Sequence, residues 1–337
     1  LTQNIVRSCA PLRIGIAGGG TDVEPYASVK GGRVFNTTIN KYAYCTIVPN
    51  DSHTMTIKST DYGTYETPLD GGPLKYDGNM DLVKAVTNHF EITDGFDMSI
   101  HSEAPPGSGL GGSSTVIVSI LKAVTTWIGE EMSNYDLAEL AYHLEREDIG
   151  LKGGKQDQYA AAFGGFNMME FTKDGTVVNP VNLSEDIVWE LEYRSLLCYT
   201  GKTRDSAGII ESQVESFKAK SNEEALDESK ILSTKLADAL KKGDIEEAGL
   251  LLDETWKQKK KFSSKITNPM IDDLYSTAIA NGAYGGKVSG AGGGGFMYFI
   301  CKNDRKHIVA KELQKKGAIV EDFVFEPRGA RSWRAKI

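Results

Sequence analysis

Residues 104–115 read Ala-Pro-Pro-Gly-Ser-Gly-Leu-Gly-Gly-Ser-Ser-Thr, and how this stretch is read decides the fold. It lies between an extended run at 96–102 and an apolar helical run at 116–128. Glycines let backbone N–H groups turn toward a ligand where a Cβ would block approach. A helix start adds unpaired N–H donors and the positive end of its dipole. Together these make an anion cradle, most naturally for phosphate. The plain alternative is a glycine-rich turn without a ligand. Gly107, Gly109 and Gly112 also satisfy the dinucleotide pattern Gly-x-Gly-x-x-Gly. That pattern normally follows the first strand of its domain, whereas a long N-terminal stretch comes first here. The carboxylates Glu130 and Glu131 that follow it sit beside Gly129, at an expected helix end rather than a strand tip. No Gly-x-x-x-x-Gly-Lys-[Ser/Thr] run occurs.

The whole chain bounds the answer. Its 337 residues suffice for one large or two ordinary domains. With 40% hydrophobic and 25% charged residues it fits a soluble globular protein. A net charge of −8 argues against a general nucleic-acid or anionic-membrane surface. The apolar run at 116–128 is too short to span a bilayer, and no signal-peptide pattern opens the chain. Cys9, Cys45, Cys198 and Cys301 are widely spaced with no Cys-x-x-Cys, so zinc and a disulfide framework are not expected. Buried reduced thiols and a cytoplasmic setting are.

Short alternating runs at 33–39, 42–48 and 55–59 read as strands, and 81–90 as a helix. Ser133 reads as an N-cap, followed by Leu137, Leu140, Ala141 and Leu144 at helical spacing up to Gly150. A strand is expected at 164–171 and an extended run at 188–200. Residues 206–262 are helical in composition, with a capping box at 221–224. Asn268 and Pro269 start another helix, which ends at Asn281 and Gly282. Then come a strand at 296–301, a helix near 305–316 and a last strand at 319–325. A β/α first half and an α+β second half predict two domains, 1–185 and 186–337.

Three further elements carry chemistry. Residues 287–295, Lys-Val-Ser-Gly-Ala-Gly-Gly-Gly-Gly, form a second glycine loop, either ligand-facing or packed against another domain. Residues 150–158 place Asp157 among glycines, twelve positions after Glu145. Glu145 lies at the edge of an apolar stripe, with Glu147 and Asp148 as competitors. Residues 10–22 alternate Arg13 with apolar neighbours, and Gly18, Gly19 and Gly20 then bring Thr21 and Asp22 onto a tight turn suited to sugar hydroxyls. A phosphate cradle, a metal site, a proton-accepting carboxylate and a cation are the parts that phosphoryl transfer needs.

Three motifs in this order, residues 13–22, the glycine loop at 105–114 and residues 287–295, resemble those of the GHMP small-molecule kinases, and the resemblance covers nearly the full length. The resemblance implies an α+β fold, with an N-terminal domain like ribosomal protein S5 domain 2 and a ferredoxin-like C-terminal domain. It implies ATP and Mg²⁺ in an active site between them. Pro106, Gly107, Ser108, Gly109, Leu110, Gly111, Gly112, Ser113 and Ser114 would wrap the triphosphate. The family's usual first serine is Gly112 here, so either Ser113 or Ser114 would join Glu145 as metal ligand. Asp157 matches the catalytic Asp, and Arg13 the basic residue serving the acceptor hydroxyl. Gly20, Thr21, Asp22, Gly290, Ala291 and Gly292 would face the sugar.

Within the superfamily, residues 11–23 most resemble heptose 7-phosphate kinases and fucokinase-type enzymes. The galactokinase Gly-Glu-His-Thr-Asp run is absent. The match implies phosphorylation of the anomeric hydroxyl of a heptose 7-phosphate, giving the 1,7-bisphosphate for nucleotide-heptose and surface polysaccharide synthesis. Another sugar acceptor and a non-catalytic sugar-binding relative are the alternatives. Lys202 and Arg204 are the expected holders of the acceptor's phosphate, while the run 257–261 reads as a solvated helix face.

Overall fold

The computed structural model describes residues 4–203 and 206–336. The alternating N-terminal runs form strands β1 (Asn4–Ala17), β2 (Gly32–Pro49), β3 (Thr54–Ser59), β4 (Gly63–Pro68), β5 (Phe96–Ser102), β6 (Phe166–Thr172) and β7 (Gly175–Pro180). Between them lie helices α1 (Tyr26–Lys30), α2 (Asp81–His89), α3 (Gly112–Ile128), α4 (Asn134–Tyr142) and α5 (Gln156–Phe163). Helix α4 runs on into a π-helical turn, His143–Asp148. Helix α6 (Glu185–Arg194) leads into β8 (Ser195–Tyr199), followed by α7 (Ser206–Lys218), α8 (Glu223–Lys241), α9 (Ile245–Lys260) and α10 (Pro269–Asn281). The chain closes with β9 (Ala283–Val288), β10 (Phe296–Cys301), α11 (Lys306–Lys315), β11 (Ile319–Glu321) and β12 (Arg331–Lys336).

Two sheets result. The first has the order β12-β1-β2-β5-β3-β4, with β6 and β7 continuing from β2. The second has the order β11-β8-β10-β9, every pair antiparallel. Numbered within that sheet, this is fourth-first-third-second, the ferredoxin-like arrangement. The α+β architecture is therefore present, built as expected from two dissimilar sheets.

Burial follows strand period. In β10, Phe296, Tyr298 and Ile300 pack with Leu12, Ile14 and Leu252, while Met297, Phe299 and Cys301 face Leu274 and Val309. A strand covered on both faces needs no polar alternation, which is why 296–301 is uniformly apolar. Strand β1 also serves two cores. Val6 and Ala10 pack with α3 and α5, but Leu12, Ile14 and Ile16 belong to the core shared with the second sheet. The change follows a register shift between Pro11 and Arg13, a bulge that re-aims the strand.

Several expectations are corrected. Residues 188–200 are not one extended run, because α6 occupies 185–194. Glu185 and Asp186 sit in its favourable first turn, and of its side chains Leu191 is the buried one. The capping box at 221–224 does not form, since the Ser221 hydroxyl donates to the Ser216 carbonyl instead. A capping box does join Ser133 and Asp136. The last strand is shorter than expected at 319–321, and β12 was not anticipated. Strand β12 pairs with β1, so the final residues return to the first sheet across the expected boundary near 185.

Among the described residues, no helix is long and apolar enough to cross a membrane. All four cysteines are free and buried. Burial raises the Cys45 thiol and pushes Cys198 and Cys301 up to about 12. A thiol-reactive dye should therefore label none of the four in the native protein and all four after denaturation. A second test concerns the seam between the sheets. Phe296 N–H donates to the Ser108 carbonyl at 2.8 Å, and a Cβ on Gly295 (φ +84°) would collide with that carbonyl. Gly295→Ala should cost about 2 kcal/mol or more, read as a lowered denaturation midpoint.

Candidate active site

Arg13 stands where the strand has just been re-aimed. Its side chain is buried, with Nε donating to Asp157 Oδ1 at 2.8 Å and Nη2 donating to Oδ2 at 2.9 Å. The third nitrogen, Nη1, donates to the Gly109 carbonyl at 2.6 Å and to Ser289 Oγ at 3.4 Å. One guanidinium thus touches both glycine loops and the Asp157 segment. The bidentate fork fixes the carboxylate plane and leaves each oxygen further lone-pair capacity.

The first glycine loop ends at α3. Gly111 (φ +76°) is its left-handed N-cap, and the next residues present first-turn N–H groups with no intrahelical acceptor. Opposite them is Glu145, fully buried on the π-helical turn. The wider turn places this carboxylate in the cleft, a common use of π geometry. Ser113 Oγ donates to Glu145 Oε1 at 2.6 Å, and Ser114 Oγ donates to Oε2 at 2.7 Å. Ser114 also accepts from Arg146 Nη2 at 3.1 Å and Gln158 Nε2 at 3.2 Å, which fills the hydroxyl's capacity. Ser113 is exposed. Serine hydroxyls and a carboxylate are the hard oxygen donors that suit Mg²⁺, which typically takes one or two carboxylates plus phosphate oxygens. Among the described residues, no group of three His, Cys, Asp or Glu forms a further metal cluster.

On the other side, Asp22 is 2% exposed and accepts from Gly20 N–H, Gln156 N–H and Gln156 Nε2. Lys287 Nζ donates to the Gly15 carbonyl at 2.6 Å, and Lys259 Nζ to the Gly290 carbonyl at 2.6 Å.

These groups enclose a cavity of ≈ 270 Å³. Its wall brings together Arg13, Gly20, Asp22, Gly107, Ser108, Gly109, Gly111, Gly112, Ser113, Ser114, Glu145, Asp157, Gly290 and Ala291. Other expected residues lie off it. Leu110 is core, and its carbonyl accepts from Arg13 N–H. Pro106 is exposed outside the wall. The Thr21 hydroxyl is spent on the Gly18 and Arg33 carbonyls, so it braces the turn. Gly292 packs against Ile266. Lys202 is exposed outside the wall, and Arg204 falls outside the described residues.

Arg146, Lys152, Gln156, Gln213 and Lys259 also line the wall, none of them among the expected site residues. In the run 257–261 only Lys259 is buried, while Lys257, Lys260 and Lys261 are exposed. A helical wheel through the buried positions Leu252, Thr255 and Trp256 would have put Lys259 on the inner face.

Residues 80–165 match the GHMP kinases N terminal domain, and residues 236–319 match GHMP kinases C terminal. The chain is 39% identical to the D-glycero-alpha-D-manno-heptose 7-phosphate kinase of Campylobacter jejuni, over 98% of this chain and 99% of that one. It is 28% identical to the L-fucokinase/L-fucose-1-P guanylyltransferase of Bacteroides fragilis, over 94% of this chain but 37% of that longer protein. A crystal structure described as a D-glycero-D-manno-heptose 1-phosphate kinase from Bacteroides thetaiotaomicron superimposes with a TM-score of 0.81, at 38% identity, covering 97% of this chain and 98% of the other.

Adjacent glycines in the first loop should respond oppositely to substitution. A Cβ on Gly111 would lie 3.2 Å from Asp157 Cγ in a left-handed backbone, whereas one on Gly112 meets nothing within 4 Å. Gly111→Ala should lower turnover by about 10-fold or more, the scale of a misplaced catalytic group. Gly112→Ser should stay within about 3-fold of the parent in steady-state kinetics, a change near the noise of a surface substitution.

Proposed function

The chain belongs to the GHMP kinases, a family of phosphotransferases with an alcohol group as acceptor, and from that premise we propose that its substrate is a heptose 7-phosphate phosphorylated at the anomeric hydroxyl. The choice of acceptor is carried by the 39% identity to a heptose 7-phosphate kinase, and the transfer itself is supported by the Arg13 guanidinium, which holds Asp157 on the same cavity wall as the N-terminus of α3 and Glu145.

In the proposed reaction the triphosphate of ATP would lie against Gly107, Ser108, Gly109 and residues 111–114 of the wall. The first-turn N–H groups of α3 would donate to its oxygens. Ser113 and Glu145 would hold Mg²⁺, because Ser114 already takes two donors. The bound ion would supply charge neutralisation of the triphosphate. Asp157 accepts the proton of the anomeric hydroxyl as that oxygen attacks the γ-phosphorus in line, while the bond from that phosphorus to the β–γ bridging oxygen breaks and ADP leaves. The fork from Arg13 keeps the carboxylate aimed, and its one uncommitted N–H, the second on Nη2, would be available to the oxygens being transferred. For the acceptor's own phosphate the main role goes to Lys259 rather than Lys202, Lys259 being a buried cation at the Gly290 end of the wall. The product would be the 1,7-bisphosphate, made in the cytoplasm for nucleotide-heptose and surface polysaccharide synthesis. A second reading, an unphosphorylated fucose-type acceptor, draws on the likeness to the fucokinase part of the longer relative.

Asp157→Asn should leave ATP binding nearly unchanged and cut turnover by about 10²-fold or more. Near-normal turnover would remove Asp157 from the mechanism. Screening ATP consumption across sugars and sugar phosphates tests the substrate. Heptose 7-phosphate should lead, and reaction with unphosphorylated sugars alone would overturn the proposal. Lys259→Met should raise the KM for a phosphorylated acceptor by about 10-fold or more, the worth of one charge-assisted hydrogen bond, while the KM for ATP holds.

A further inference from the structure

Gln156, the first residue of α5, carries a polar atom that the protein itself does not satisfy. The residue is 7% exposed, and its Oε1 is buried with no hydrogen-bond partner. Its other amide atom is fully committed, with Nε2 donating to both Asp22 oxygens at 3.2 Å. An ionised carboxylate can only accept, so the NH₂ group must face Asp22 and Oε1 must face away. The polarity of the amide is therefore set by its neighbour. Asp22 in turn is held by Gly20 N–H at 3.0 Å and Gln156 N–H at 3.2 Å. With each of its oxygens taking two donors, it has little capacity left for a sugar. Gln156 and Gly15 both belong to the cavity wall, and a Cβ at Gly15 would lie 3.3 Å from Oε1. A bare backbone beside a buried acceptor leaves room for an incoming donor. Buried acceptors left unpaired are rare and costly, so one on a cavity wall marks a ligand contact.

We propose that Gln156 is a specificity-determining residue, accepting through Oε1 a hydrogen bond from one hydroxyl of the acceptor sugar. Asp22 is a positioning residue that fixes the amide's polarity rather than binding the sugar itself. The proposal rests on the sugar-kinase reading but not on the identity of the sugar. It makes the contact directional: a hydroxyl satisfies it, whereas hydrogen or fluorine at the same carbon cannot donate.

The test is a double-mutant cycle with substrate analogues. Wild type, Gln156→Met and Gln156→Asn are assayed with the acceptor and its monodeoxy and deoxyfluoro analogues at each non-reacting hydroxyl. In the wild type one deoxy analogue, and its fluoro counterpart, should lose about 10- to 100-fold in kcat/KM. In Gln156→Met that loss should shrink to within about 3-fold, with the KM for ATP unchanged. Asp22→Asn should shrink it as well, because the amide then loses its fixed polarity. If every analogue loses as much in Gln156→Met as in the wild type, Gln156 does not touch the sugar and the proposal falls. Gln156→Asn, which keeps an amide but shortens its reach, carries the cycle if the Met variant does not fold. If the wild type ignores heptose 7-phosphate yet phosphorylates another sugar, the substrate reading fails, and the same cycle on analogues of that sugar decides the role of Gln156.

Discussion

The site depends on a single planar cation. Arg13 spends two nitrogens on Asp157 and the third on Gly109 and Ser289, so β1, α5 and both glycine loops converge on one guanidinium. Only arginine can do this. Its fork matches a carboxylate in two parallel bonds and still has a donor pointing sideways, whereas a lysine ammonium offers no fixed plane. The fork is aimed by the bulge in β1, which turns Leu12 and Ile14 into the core shared by the two sheets. A local irregularity in one strand therefore sets both the inter-sheet packing and the orientation of the proposed base.

The glycine loops follow from the same geometry. Two sheets that share a reaction cleft must approach backbone to backbone at its rim. At Gly295 the second loop meets the Ser108 carbonyl, and the adjacent Phe296 N–H closes a hydrogen bond onto it. The conformational entropy lost by a glycine run is offset by these closures and by the room left for ligand. The run 292–295 thus serves two ends at once: Gly292 packs on Ile266 while Gly290 and Ala291 line the cavity.

Much of this was legible in the chain itself. The loop at 104–115, Arg13, Glu145 and Asp157 stand out by residue type and spacing, their roles follow from the resemblance to GHMP kinases, and the structure brings Arg13, Glu145, Asp157 and the loop's glycines and serines to one wall. What escaped had physical reasons. The π-helical turn leaves no mark in a 3.6-residue pattern, because Leu137, Ala141 and Leu144 fit an ordinary helix equally well. Helix α6 reads as extended because its apolar residues begin with the contiguous run 187–189, and only Leu191 is buried, so no core-facing stripe at helical spacing marks it. Lys259 was hidden by its composition, since a lysine run reads as solvated until each residue is assigned to a face. Thr21 erred the other way: its hydroxyl suited a sugar, but a turn consumed it. Short hydroxyl residues beside glycines compete for backbone partners first, and ligands take what remains.

The charge pattern closes the account. The chain carries −8 overall, yet the cavity wall sets Arg13, Arg146, Lys152, Lys259 and Lys287 against Asp22, Glu145 and Asp157. In a cleft with low-dielectric walls such a surplus focuses the field, while the acidic exterior repels anions elsewhere. At physiological ionic strength the field of an exposed charge fades within about 8 Å, whereas the buried charges of the cleft are screened much less. The acids on that wall are each already engaged: Asp157 by Arg13, Glu145 by serines and Gln158, Asp22 by Gln156. An incoming triphosphate therefore meets N–H groups and cations rather than bare carboxylates, which is the condition for two negatively charged substrates to share one cavity.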